Sequence, residues 1–115
     1  MAPNAIFREP GRTLQGREAF RERVADFIRA FPDLRCSIDD LVANDDIVAV
    51  RWTLSGTHQG AFGPYPATGK QVTLTGIGLR RVSNGQMVEG WGCFDTLGAS
   101  LQLGASLVLP ALESS

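Results

Sequence analysis

The sequence predicts an α+β domain in which one amphipathic helix packs on a mostly antiparallel sheet. Apolar residues recur at helical period only between Gly16 and Phe31. From Leu34 to Thr96 they alternate with polar residues at the period of a strand. The breaks between these alternating runs include Asn44-Asp45-Asp46 and Ser83-Asn84-Gly85-Gln86, short turns that join antiparallel neighbours. A chain of 115 residues supports one core, so residues 1–115 read as a single domain.

The elements follow in order. Pro3, Pro10 and Gly11 surround the Ile6–Phe7 pair and give an irregular arm or a short strand over residues 1–15. Gly16 opens the helix, whose apolar stripe is Phe20, Val24, Phe27, Ile28 and Phe31. Pro32 ends it, because the residue before a proline is pushed out of the helical region. Leu34–Ala43 is a strand candidate. Ile47–His58 alternates plainly, with Val48, Val50, Trp52 and Leu54 on one face and Ala49, Arg51, Thr53 and Ser55 on the other. Gly60–Gly69 is a connecting loop. Lys70–Val82 is the next strand, with a bulge or bend expected at Gly76 and Gly78. Met87–Thr96 pairs with it through the Asn84-Gly85 turn. The tail from Leu97 reads as a loose helix or an edge-covering strand. Four long strands carry more apolar surface than one helix can cover, so the N-terminal arm, the tail or a second subunit must cover the rest, and a homodimer is the favoured expectation.

A formal charge of −1 argues against a nucleic-acid face. The arginines of residues 8–35 are interleaved with Glu18, Glu22, Asp26 and Asp33, as on a solvated helix face. The N-terminus lacks the apolar run of a signal peptide, and no stretch is long enough to span a bilayer. Cys36 and Cys93 have no metal-ligand spacing and read as free thiols of a reducing cytoplasm. One histidine cannot supply a metal site by itself. Gly63–Lys70 has the wrong spacing for a phosphate loop and precedes a strand, and no Ser lies in a nucleophile elbow.

What remains is a greasy surface with few polar groups, the anatomy of a small-molecule site. Asp95 and His58 are the candidate catalytic residues. Trp52, Leu54, Ile77, Leu79, Trp91 and Cys93 are the expected substrate-binding surface. Each has a structural alternative. Asp95 is either a pocket carboxylate with a raised proton affinity or the cap of the segment starting at Thr96. His58 either faces the pocket or bonds the loop that follows it. The tryptophans are either ligand platforms or core, and Arg51 and Arg81 either neutralise an anion or are solvated.

A series of short motifs runs through the chain: Gly16-Arg-Glu-Ala-Phe, Phe31-Pro-Asp-Leu, Val50-Arg-Trp-Thr, Gly56-Thr-His-Gln-Gly, Thr68-Gly-Lys, Asn84-Gly-Gln-Met-Val-Glu-Gly-Trp and Gln102-Leu-Gly. In this order they resemble the SnoaL-like polyketide cyclases of the nuclear transport factor 2-like (NTF2-like) superfamily. The resemblance implies a cone in which a strongly curved sheet wraps helices around an apolar cavity. It implies general acid/base catalysis of an intramolecular aldol closure by the residue matching Asp95, with His58 near the enolate oxygen and no cofactor. Family members begin with further helices, whereas fifteen residues precede Gly16 here. The N-terminal helices are therefore expected to be shortened or missing, and the cavity to be open, completed by a partner, or absent. Two functions follow: a cofactor-independent cyclase or isomerase acting on a small hydrophobic carbonyl compound, or a non-catalytic binding or assembly module.

Overall fold

A computed structural model describes residues 1–106. The last part of the expected tail, from Leu107, lies outside the described residues. The elements are β1 (Ile6–Glu9), β2 (Arg12–Gln15), α1 (Arg17–Ala30), β3 (Arg35–Asn44), β4 (Ile47–Thr57), β5 (Gln71–Ser83), β6 (Gln86–Phe94) and α2 (Thr96–Gln102). The strands form one sheet in the order β2-β1-β6-β5-β4-β3. The chain is α+β, with a curved sheet wrapped against helices. Among the described residues, no helix is long and apolar enough to cross a membrane.

The strands from β3 to β6 form an antiparallel meander. Its first turn is set by Asp45 and its last by Asn84 and Gly85, all three at positive φ, as tight hairpins require. The arm of residues 1–15 is a hairpin rather than an irregular lead. Its β1 lies parallel to β6, with Phe7 opposite Gly90. Of the two readings of the Ile6–Phe7 pair, the short strand is the one observed, and its partner β6 is remote in sequence.

The C-terminal end of α1 is fastened to the sheet by the segment Gly56–Gly60. Gln59 and Gly60 donate their N–H groups to the carbonyl of Ala30 at 2.9 and 3.1 Å, satisfying an orphan helix acceptor. Asp33 takes the N–H of Thr57 at 2.7 Å on one oxygen and its hydroxyl at 2.8 Å on the other. The backbone of Gly60 lies so close to the Arg29 carbonyl that no Cβ fits between them. Behind this clasp sits the core, where Phe27, Ala30 and Phe31 meet Val72 and Leu74 of β5 and Ala99 and Leu103 after β6. Gln102 completes that end by both donating to and accepting from the backbone of Thr73, at 2.8 Å each way, as a neighbouring strand would.

The register shifts lie at Ile38/Asp40 in β3 and Arg81/Val82 in β5, not at Gly76 and Gly78. Those glycines serve a different purpose. Gly76, Gly78, Gly90 and Gly92 all face inward, and the rings of Trp52 and Phe7 lie against them. A Cβ on Gly76 would stand 2.6 Å from the Trp52 ring, and one on Gly92 would stand 2.8 Å from the Phe7 ring. The missing side chains are seats for aromatic rings from neighbouring strands.

Two outcomes follow from this packing. Replacement Gly92→Val drives Phe7 off its seat and lowers stability by about 1–3 kcal/mol, the usual cost of overpacking, read by urea denaturation. An unchanged midpoint would refute the seating role. The two Thr57 bonds hold the Asp33 carboxyl below its ordinary 3.8, with the backbone bond the larger cause. A depressed folded value contributes stability above 3.8 that is lost as the pH falls through the folded value. Asp33→Asn removes that part of the acid dependence, so the melting temperatures of the variant and the parent converge below pH 3.8.

Candidate active site

Helix α1 bridges the concave face, through Phe20, Arg23, Val24 and Phe27, without filling it. Between them lies a hollow of about 500 Å³. Phe7, Phe20, Val24, Phe27, Trp52, Leu54 and Phe94 are among its walls, joined by Ile38 and Leu41 of β3 toward the open side. Trp52 meets Phe94 edge to face at 5.5 Å between centroids, and Phe7 meets Phe20 in the same way at 5.1 Å.

Three charged side chains share this lining. Glu9, at the end of β1, is 8% exposed in its side chain and receives two bonds from Arg23 of α1, Nε to Oε1 and Nη2 to Oε2, both at 3.2 Å. The Arg23 guanidinium also lies over Phe27, 4.6 Å from the ring centroid. Arg80 extends across the glycine seats with its guanidinium 4.6 Å from the Phe7 centroid and 5.7 Å from that of Trp52. Burial pushes Arg80 below its ordinary value. Glu9 is the one carboxylate among the lining residues.

The opposite face of the sheet carries a dish of similar volume, about 540 Å³, lined by Arg8, Pro10, Ile77, Leu79, Trp91 and Cys93 among others. No helix covers it. The concave hollow is the better candidate site, because it alone is walled on two sides and combines aromatic surface with a buried ion pair.

A model of the SnoaL-like polyketide cyclases matches residues 1–103. The chain belongs to that family. Solved structures agree with this SnoaL-like assignment. IdmH of Streptomyces antibioticus, a proposed polyketide cyclase, is 30% identical, with 91% of this chain and 82% of that one aligned at a TM-score of 0.79. AclR of Streptomyces galilaeus, a proposed hydroxylase, is 26% identical over 90% of this chain and 77% of its own, with a TM-score of 0.80. TsrD of Streptomyces laurentii is 29% identical over 91% and 78%, with a TM-score of 0.82. No curated protein sequence matches this SnoaL-like chain.

The predicted site residues separate. Trp52 and Leu54 line the hollow. Ile77, Leu79, Trp91 and Cys93 line the outer dish, because strand alternation gives the inner face of β5 and β6 to glycines, Arg80 and Phe94. Asp95 is exposed and is not among the lining residues of the hollow. Its Oδ1 accepts the Gly98 N–H at 2.9 Å, so the carboxylate caps α2. His58 is 0% exposed and lines neither hollow. Its Nδ1 takes the Thr68 N–H at 3.2 Å and lies 2.9 Å from the Thr68 hydroxyl, while Nε2 has no partner among the described residues. It anchors the loop between β4 and β5 beside the ring of Phe31. Arg51 pairs with Asp40 at 2.8 Å, and Arg81 with Asp46 at 3.0 Å, both near the surface.

Sequence reasoning missed Glu9, Arg23 and Arg80. Arg80 was within reach, since period two places it with Val72, Leu74, Gly76 and Gly78. Glu9 gave no signal, because it belongs to a strand whose partner is at the other end of the chain.

Proposed function

We propose that this SnoaL-like chain binds a small apolar carbonyl compound in the concave hollow and performs cofactor-independent general acid/base chemistry on it. The reaction is an intramolecular aldol closure or a related isomerisation. The supporting observation is Glu9, a carboxylate oriented by Arg23 among aromatic walls. Each Glu9 oxygen accepts one bond from Arg23 and keeps a further lone pair for a proton. Glu9 takes the proton from a carbon between two carbonyls, and the electron pair of that C–H bond becomes the enolate. The enolate carbon then bonds to a second carbonyl carbon of the same molecule, and the proton returns to the resulting alkoxide. The hollow holds the chain folded, so proximity carries much of the acceleration.

Deuterium uptake at the central carbon of ethyl benzoylacetate in D₂O, followed by NMR, tests the proton step without the natural substrate. The parent exceeds the buffer rate, and Glu9→Gln lowers the enzymatic part by about a hundredfold or more. Asp95→Asn, which keeps a capping side chain, leaves the rate unchanged. Equal rates in the parent and Glu9→Gln would sink the assignment, and loss in Asp95→Asn would return the role to Asp95. Binding without any accelerated uptake would favour the non-catalytic binding module.

The outer face offers a place for the expected second copy. Ile77 is 60% exposed and Leu79 44%, beside Trp91. Around them the charges are already satisfied within one chain, through Arg8–Glu89–Arg81–Asp46 and Arg51–Asp40. An apolar centre inside a neutralised rim does not repel an identical face. We propose a homodimer through this surface. Sedimentation velocity then gives a dimer that Leu79→Glu converts to monomer with the melting temperature retained. A parent that is monomeric at tens of micromolar would refute it.

A further inference from the structure

We propose that the ligand of the concave hollow carries a carboxylate and that Arg80 is its charge partner, an inference that rests on the hollow being the ligand site. The lining holds two cations and one anion. Arg23 is committed to Glu9 by both of its bonds, leaving Arg80 as the uncompensated charge. The nearest acceptors of Arg80 are the carbonyls of Leu79 and Trp91, each bonded to Nη1 at 3.0 Å. Among the described residues, Nε and Nη2 have no acceptor and no carboxylate lies within ion-pair distance. The perturbation of its proton affinity has burial as its sole cause, with no neighbouring carboxylate acting against it.

The ring faces of Phe7 and Trp52 offset only part of the hydration this guanidinium loses, and an incoming anion supplies the missing charge partner. The two free nitrogen edges suit the paired oxygens of a carboxylate, the geometry in which Arg binds most strongly. The adjacent rings of Phe7 and Trp52 would hold the apolar body joined to that group. The ligand class is therefore an aromatic or extended apolar carboxylate in its resting state. An enolate alone would leave Arg80 unpaired until the reaction began.

The test is calorimetric titration of the full chain with 2-naphthoate and with its neutral isostere 2-naphthamide at low salt. Naphthoate binds at least tenfold more tightly than the amide. Arg80→Gln brings the two within about twofold, and Arg80→Lys retains part of the preference. Equal affinities in the parent would overturn the inference whether or not any variant folds, as would a preference that survives Arg80→Gln. If the amide binds and the carboxylate gains nothing, only the anion assignment fails. If neither probe binds, the hollow itself fails as the ligand site, and both readings fall together.

Discussion

Everything in this fold depends on how the end of α1 is held. A 14-residue helix presents only a narrow apolar stripe to a much wider sheet, so hydrophobic contact alone leaves its angle loosely defined. The clasp removes that freedom. Helix carbonyl, loop amides and the Asp33 carboxylate are joined by short bonds, and glycine lets the two backbones approach within side-chain distance. Its C-terminus is pinned over the core, and its first two turns meet β1 through Phe20 on Phe7 and Arg23 on Glu9. The hollow lies between helix and sheet, with Phe20, Val24 and Phe27 on the helix side.

The walls of the hollow obey a second constraint. A sheet that lined its own concave face with large side chains would fill it. Here β5 and β6 contribute glycines at the centre, and rings from β1 and β4 lie across them. The surface is aromatic and smooth, with Arg80 lying along it and the Glu9–Arg23 pair at one edge. Two kinds of polar group, one neutralised and one not, thus face an otherwise apolar space. That asymmetry gives the hollow a chemical direction.

The fold was legible in the sequence wherever the signal was local. The helical stripe, the alternation of β4, the Asn84-Gly85 turn and the stop at Pro32 all reflect contacts within a few residues, and they correspond to real elements. The site was less legible, for a specific physical reason. Hydrophobic pattern identifies the inner face of a strand by its apolar side chains, but Gly76, Gly78, Gly90 and Gly92 are inner-facing because they have none. The same rule assigned Ile77, Leu79, Trp91 and Cys93 inward, and they point outward. Likewise the motif Gly56-Thr-His-Gln-Gly drew attention to His58 as chemistry, whereas its spacing is that of a clasp. Asp95 carried two readings at the sequence level, and the local one, a helix cap, is what the geometry shows.

The parallel pairing of β1 with β6 has a further consequence for how the molecule assembles. Ile6 pairs with Glu89, so nearly the whole chain must be in place before β1 has an edge to join. The meander from β3 to β6 closes through two short turns and one loop between Thr57 and Gln71, whereas β1 closes a far longer loop and gains only a few ladder pairs in return. Glu9 and Phe7 travel with it. The part of the chain that brings the carboxylate is thus the part with the highest entropic barrier to docking, and the meander can form its sheet while the hollow still lacks Glu9 and Phe7.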